Sequence, residues 1–212
     1  MDKSIAAFLM LFATVTGSPA TTPREIVQSA VAQVMAVLNG TDADRDRSER
    51  GEARVPGPER PRGPELRRIA TDLFDFDEMA RRTLSRHWAG RTPAQQTEFV
   101  TLLVDLLERS YVARIEAYAG EKVTYVGESI DGEYALVRSK ISTPRRRQDT
   151  TVDYRLHLRD RRWKVYDVLV DGVSLVSTYR SEFNRVIAGS SYNALVSALK
   201  NRRLQVKTVV AR

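Results

Sequence analysis

Four segments between residues 122 and 171 constrain the fold more than any other part of this sequence. Apolar and polar side chains alternate along Lys122–Glu128, Tyr134–Thr143, Thr150–Arg159 and Arg162–Asp171. This period of two is typical of strands that bury one face. Because the connections are short, neighbouring strands must run antiparallel. The sequence therefore predicts a four-stranded antiparallel sheet with one covered face and one face in water.

The fourth strand leads into a helix through a tight turn. Asp171-Gly172 is a turn pair, since glycine accepts a positive φ, and Ser174 is the predicted N-cap of a helix that extends to Ala188. So short a connection folds the helix back over the sheet. We expect the core at this junction.

A second constraint is the apolar surface of the longest predicted helix. Thr92-Pro93-Ala94-Gln95 is a capping box that begins this helix, and Ala119-Gly120 ends it. Its apolar side chains cover an arc of roughly 220°, about twice what a surface helix needs. This central helix must pack from two directions or line a cavity. Periodicity alone does not separate these two alternatives.

Helical periodicity predicts three further segments. One begins at Thr22-Pro23 and ends at Asn39-Gly40. Another occupies Leu66–Trp88, with a break near Phe74–Asp77 where an aspartate caps a second helix. The last is Tyr192–Asn201. Strands that follow and precede helices in this way indicate an α+β fold.

The remaining segments carry less apolar surface. Residues 41–64 are rich in charged residues, proline and glycine, so we expect a mobile polar insert. Residues 1–20 combine Lys3, the apolar stretch Ile5–Val15 and the small residues around Ala20, a pattern typical of a signal peptide. We expect one domain over residues 21–204 and a frayed tail at 205–212.

Composition restricts the chemistry of the chain. Cysteine is absent, which excludes disulfides and thiol catalysis. The net charge of +7 is spread along the chain, with one cluster at Arg145–Arg147 that lacks interleaved aromatic residues. We expect no nucleic-acid partner. Contact between that cluster and an anionic membrane surface or an acidic partner remains an alternative.

No catalytic or metal-binding pattern stands out. The two histidines, His87 and His157, have no partners at a metal-ligand spacing. Structural roles at the strand end and turn account for Asp167 and Asp171. Helix capping accounts for a group of neighbouring carboxylates: Asp75, Asp77 and Glu78. We therefore predict a protein that is not an enzyme and that needs neither a metal nor a cofactor.

The C-terminal half resembles the MlaC family of periplasmic phospholipid-binding proteins, also called toluene-tolerance auxiliary proteins. The resemblance extends over about residues 22–200. The matching C-terminal residues are Trp163–Val168, Asp171–Val176, Tyr179-Arg180, Phe183 and Asn193–Leu199. The matching N-terminal residues are Thr92–Gln95, Phe99, Leu106-Leu107, Tyr111 and Tyr118–Gly120.

The resemblance implies a carrier in the periplasm. Such a protein shuttles phospholipid between an outer-membrane lipoprotein complex and an inner-membrane ABC transporter with an MCE domain, without stable membrane insertion. This activity maintains the lipid asymmetry of the outer membrane. One branch of the family accompanies hopanoid biosynthesis genes, which leaves a polycyclic lipid as an alternative. The implied fold is a curved sheet, similar to the nuclear-transport-factor superfamily, wrapped by N- and C-terminal helices around an apolar pocket.

Two features depart from the family pattern. The insert at 41–64 looks longer than usual, and Ser177-Thr178 stands where many members carry asparagine.

The predicted pocket lies between the central helix, the covered face of the sheet and the returning helix. Its lining is chosen by face and period: Leu103, Leu106, Leu107, Tyr111, Val137, Tyr154, Leu156, Tyr166, Val168, Val170, Val173, Val176 and Tyr179.

Two other classes of function remain open at this point. An enzyme on the same scaffold requires polar residues inside the pocket, so Asp167 or His157 would have to face inward. A basic interaction protein would have a solid core and would bind through Arg145–Arg147.

Overall fold

The computed structural model describes residues 21–49, 62–116, 122–142 and 149–204. Five of the predictions fall wholly or partly outside these ranges, one being the end of the central helix at Ala119-Gly120. The other four concern the signal peptide at 1–20, part of the polar insert, the cluster Arg145–Arg147 and the tail at 205–212.

The described residues form six α-helices and one sheet of five strands. The helices are α1 Pro23–Glu49, α2 Arg62–Leu73, α3 Phe76–Leu84, α4 Pro93–Glu116, α5 Leu175–Gly189 and α6 Tyr192–Lys200. The strands are β1 Lys122–Asp131, β2 Tyr134–Ser142, β3 Thr150–Arg159, β4 Arg162–Val170 and β5 Val173–Ser174. A short 3-10 turn, Ser85–His87, follows α3.

The sheet is an antiparallel meander in the order β1-β2-β3-β4-β5. The α+β class and the meander are therefore confirmed, but the sheet has five strands where the sequence predicts four. The fifth strand arises at the turn: Asp171 and Gly172 have φ of 47° and 79°. This reversal pairs Val173 with Val170 before α5 begins.

Three predicted helix caps are confirmed. Asp75 accepts a hydrogen bond from the backbone N–H of Glu78 at 2.9 Å, and Ser174 accepts one from Ser177 at 3.0 Å. At the start of α4, Thr92 and Gln95 exchange reciprocal side-chain to backbone bonds of 3.1 and 3.3 Å. The first of these caps separates α2 from α3 where the sequence predicts a break.

The predicted end of the first helix at Asn39-Gly40 is wrong, because α1 continues to Glu49. Glycine inside a helix costs about 1 kcal/mol relative to alanine, but each added residue of an existing helix brings its own hydrogen bond. A C-cap signal of this strength therefore does not stop a helix that is already formed. The first part of the predicted insert is helical as a result.

One face of the sheet is covered by α1 and α2. We call the buried residues of this layer the sheet cluster: Val27, Ala30, Ile69, Leu73, Ala135, Val137, Val152, Leu156, Val165, Val168 and Leu175. The sequence predicts the central helix and the returning helix on this face; Tyr111 of α4 and Leu175 of α5 contact this layer, while most buried residues of the two helices pack elsewhere.

The other helices pack against one another. Their buried residues form the helical cluster: Met79, Ala80, Leu84, Phe99, Leu103, Leu106, Val176, Tyr179, Phe183, Tyr192, Leu195, Val196 and Leu199. The rings of Phe99 and Phe183 pack edge to face with their centroids 5.6 Å apart, and this contact joins α4 to α5. The wide apolar arc of α4 is only partly used, since Leu102, Leu107 and Tyr111 are half-buried.

Two bulges interrupt the pairing of the strands. In β1 the register shifts between Tyr125 and Gly127, so Val126 has no partner and is 52% exposed. The first turn of α1 lies beside this bulge, where the backbone N–H of Arg24 donates to Glu128 at 2.8 Å. In β4 the shift leaves Tyr166 unpaired. A bulge of this kind puts one extra residue into one strand and changes the direction in which the neighbouring side chains point.

Replacing Phe183 with alanine should lower the free energy of unfolding by about 3 to 5 kcal/mol, because it removes a fully buried ring at the centre of the helical cluster. Denaturant titration followed by circular dichroism measures the change. Val126→Ala is the matched control and should cost no more than about 0.5 kcal/mol. Similar losses in both variants would contradict the placement of the core.

Candidate functional site

The apolar face of the sheet becomes less buried toward both ends. Leu156 and Val165 are fully buried in one row across the strands. Toward the start of β3, Val152 is buried, while Val170, its partner in β4, is half-buried. Ile141, near the end of β2 and paired with the first residue of β3, is half-buried as well. The face is therefore only partly covered at the end formed by the start of β1 and β3 and the finish of β2 and β4; at the opposite end Leu158 is 36% exposed and Trp163 is half-buried.

Half-buried apolar side chains from both helices and strands border this layer. We call this group the apolar margin: Val31, Val34, Val37, Tyr111, Tyr125, Ile141, Tyr154 and Val170. Three belong to α1, one to α4 and four to the sheet. Tyr111 touches both the sheet cluster and the helical cluster. Such a border can receive an apolar ligand because its members already face away from bulk water.

The apolar margin contains one polar group without a partner. The hydroxyl of Tyr125 is buried and has no hydrogen-bond partner among the described residues. Burial raises the pKa of Tyr125, although the guanidinium of Arg24, 5.8 Å from the ring centroid, opposes this. The hydroxyl therefore stays neutral and is available to donate one hydrogen bond inside an otherwise apolar surface.

The structure divides the predicted pocket residues between the two clusters. Six of them pack in or on the sheet cluster: Tyr111, Val137, Tyr154, Leu156, Val168 and Val170. Five belong to the helical cluster or pack against it: Leu103, Leu106, Leu107, Val176 and Tyr179. They do not line one surface, because most of the buried side chains of α4 and α5 pack with α3 and α6; only Tyr111 of α4 and Leu175 of α5 reach the sheet cluster.

Two predicted residues lie in neither cluster. Val173 is 49% exposed on β5. Tyr166 is the unpaired residue of the β4 bulge, and its ring contacts Arg82 and His157 on the opposite face of the sheet. Because the bulge breaks the period of two, Val165 and not Tyr166 shares the apolar face with Val168.

Asp167 connects the sheet to α5 and is only 2% exposed. One carboxylate oxygen accepts the backbone N–H of Val176 at 3.0 Å, and the other accepts the hydroxyl of Ser174 at 2.7 Å. Arg155 donates to the second oxygen at 3.3 Å. The carboxylate thus caps α5 directly, a stronger role than the turn position that the sequence predicts.

Asp75 is the centre of a second polar group on the same face. Its side chain accepts hydrogen bonds from His157 at 3.0 Å and from Arg159 at 2.8 Å. Burial alone would raise its pKa, but the Arg159, Glu78 backbone and His157 hydrogen bonds outweigh that effect and lower the pKa. The sequence predicts the cap but not the contacts with β3, which join residues more than 80 positions apart.

These groups do not create a catalytic pocket in the apolar layer. His157 and Asp167 both lie on the face opposite the sheet cluster, so neither meets the condition that the enzyme hypothesis requires. Within the described ranges, no three His, Asp or Glu side chains come together in a way that could hold a metal ion. None of the helices in those ranges combines the length and the apolar character needed to span a bilayer.

Comparison with known proteins extends over most of the chain. The family model described as MlaC protein matches residues 28–201. A solved structure described as the phospholipid-binding protein from Ralstonia solanacearum, in complex with a phospholipid, is similar with a TM-score of 0.67 and 24% sequence identity. The similarity covers 84% of this chain and 95% of that chain. At this identity the likeness establishes a shared fold.

Replacing Asp167 with alanine should lower the free energy of unfolding by about 3 kcal/mol, since it leaves a buried N–H and a hydroxyl without their acceptor. Thermal and urea denaturation measure this loss. Asp171→Asn is the control: the exposed Asp171 accepts the backbone N–H of Thr151 at 2.8 Å, and asparagine keeps an acceptor and tolerates the φ of 47°. The control should cost about 1 kcal/mol at most. Equal losses would show that Asp167 has no special capping role.

The hydrogen bonds of Asp75 make stability depend on pH. Because the folded protein lowers this pKa, the stabilisation is present above the ordinary value of 3.8 and is lost as pH falls through the folded pKa. Asp75→Asn should therefore flatten the decline of the unfolding free energy below about pH 4. The exposed Asp131→Asn serves as the control and should keep the slope of the wild type. An unchanged slope in Asp75→Asn would contradict the role assigned to this network.

Proposed function

The chain belongs to the MlaC family, and on this premise we propose that it is a lipid carrier of the bacterial envelope. It binds the acyl chains of a phospholipid against the apolar face of its sheet and leaves the head group in water. The match over residues 28–201 is the observation that carries this proposal. The complex of the Ralstonia solanacearum protein with a phospholipid supports it from a related fold.

The apolar margin supports a site at the end of the sheet where β3 starts and β4 finishes. Val31, Val34 and Val37 of α1 and Tyr154 and Val170 of the sheet are all half-buried and pack against the sheet cluster. Separation of α1 from this end would uncover apolar surface on both sides without breaking strand pairing, since the bonds of Arg24 to Glu128 and to the carbonyl oxygen of Tyr125 do not join strand to strand. The Tyr125 hydroxyl provides one donor for an ester carbonyl or another polar atom at the end of the chains.

The energetics of lipid transfer explain why such a protein is needed. Each methylene moved out of water contributes about 0.8 kcal/mol, so two acyl chains of roughly fifteen methylenes each represent on the order of 20 kcal/mol. A lipid therefore crosses an aqueous compartment slowly unless a protein shields its chains. This task requires binding and release and no bond cleavage. We infer that the chain acts as a carrier and not as an enzyme.

The route of transport belongs to the same proposal. The carrier works in the periplasm and exchanges lipid between an outer-membrane lipoprotein complex and an inner-membrane ABC transporter with an MCE domain, which maintains the asymmetry of the outer membrane. Differences in lipid affinity among the three binding sites set the direction of net transfer. A hopanoid is the alternative cargo, because its rings are equally apolar.

Native mass spectrometry of the full chain purified from cells tests the proposal. The protein should carry a bound species, which lipid extraction identifies as a glycerophospholipid or a hopanoid. Val170→Trp places an indole in the apolar margin and displaces at least two methylenes of the ligand, so lipid affinity should fall about tenfold. Val34→Trp, from the α1 side, should have the same effect.

The matched control is Val126→Trp, at the exposed bulge of β1. It should keep the lipid occupancy of the wild type. Circular dichroism of each variant confirms that the fold is retained. Wild-type protein that is consistently free of lipid would overturn the proposal, and equal occupancy in all three variants would exclude this position of the site.

A further inference from the structure

A cavity of about 350 Å³ lies between α3, α5 and the face of the sheet opposite the sheet cluster. Four arginines from three elements converge on it: Arg81 and Arg82 from α3, Arg155 from β3 and Arg180 from α5. Ser85 and Ser177 add hydroxyl groups to its wall. The residues come from positions separated by as many as 99 along the chain, so the cluster is a product of the fold.

The positive charge in this cavity exceeds the negative charge around it. Glu78 pairs with both Arg81 and Arg82 at 2.6 Å. Asp167 pairs with Arg155 at 3.3 Å, but both of its oxygens also cap α5 or bind Ser174. Two carboxylates therefore face four guanidinium groups, and two positive charges remain without a matching carboxylate among these residues. Bringing like charges together in a partly enclosed space is unfavourable unless an anion joins them.

The guanidinium groups are held in place yet remain accessible. Arg82 lies over the ring of Tyr166, with its central carbon 4.1 Å from the ring centroid. The side chains of Arg81 and Arg155 are 54% and 44% exposed. Arg180 is exposed, and its guanidinium donates a long 3.4 Å hydrogen bond to the hydroxyl of Ser177. Each guanidinium has five N–H donors, of which the observed contacts use two or fewer.

We propose that this cavity binds a phosphate group that carries an organic substituent. Guanidinium groups match the oxygens of phosphate in pairs, and donors that converge from three elements suit a tetrahedral anion better than a planar carboxylate. The surplus of two positive charges equals the charge of a phosphate monoester. The volume of about 350 Å³ corresponds to about twelve waters at roughly 30 Å³ each, which leaves room for a substituent.

The site is separate from the one proposed for the acyl chains. Arg155 stands between Tyr154 and Leu156 on β3, and those two side chains belong to the apolar face. A phosphate bound by Arg155 therefore lies on the other side of the sheet from the sheet cluster. Its source is either a soluble phosphate ester or the head group of a lipid in a membrane surface. The two sources share the same chemistry at the cavity.

Isothermal titration of the full chain with inorganic phosphate and with glycerol 3-phosphate tests the soluble source. Sedimentation with phosphatidylcholine vesicles that contain phosphatidic acid, whose head group is a phosphate monoester, compared with vesicles of phosphatidylcholine alone, tests the membrane source. Arg180→Gln is the informative variant, because Arg180 pairs with no carboxylate among the residues that the structure describes. For whichever probe the wild type binds, the affinity of this variant should be about tenfold lower, the effect of one lost charge-assisted hydrogen bond. Arg180→Lys keeps the charge but loses the paired donors. Its affinity should therefore lie between that of the wild type and that of Arg180→Gln.

Arg185→Gln is the matched control, since it removes the same charge from the same helix outside the cavity. It should bind as the wild type does. Equal affinity in all variants, equal losses in Arg180→Gln and Arg185→Gln, or the absence of binding to all probes would each overturn the proposal. Lipid occupancy by native mass spectrometry should stay unchanged in Arg180→Gln, so a failure of this site and a failure of the proposed carrier function are distinguishable.

Discussion

The buried carboxylate of Asp167 is the contact on which both hydrophobic clusters depend. It fixes the first turn of α5 to β4 through Ser174 and the backbone N–H of Val176. Leu175, at the start of that helix, packs in the sheet cluster, and Val176 packs in the helical cluster. A rotation of α5 by one residue would exchange these two side chains between environments. The position of the carboxylate therefore sets the boundary between the layer that faces the candidate lipid site and the layer that supports it.

The local features of the fold follow closely from the sequence. Alternation of side chains predicts the four long strands, and cap residues predict the starts of α3, α4 and α5 because each cap depends on atoms three residues apart. The packing of helices on the sheet does not follow in this way. Both α1 and α4 are long and apolar on one side, and nothing local to either helix determines which one covers the strands.

The site is harder to predict than the fold because it depends on one bulge and on distant pairs. A strict period of two places Tyr166 beside Val168, yet the extra residue in β4 turns it to the other face. Apolar residues three positions apart, Val165 and Val168, are a signal in the sequence that could have indicated this bulge. The contact of Asp75 with His157 and Arg159 has no such signal, because only the complete fold brings these residues together.

The bulge in β1 also affects how copies of this protein behave toward one another. Because β1 is the outermost strand of an open sheet, its free N–H and C=O groups are a template for pairing with a strand of a second molecule. The register shift at Val126 interrupts that template, and the guanidinium of Arg24 binds the carbonyl oxygen of Tyr125 beside it at 3.5 Å. If the chain exposes apolar surface during lipid exchange, as the proposed carrier function requires, this interruption opposes edge-to-edge aggregation in that state.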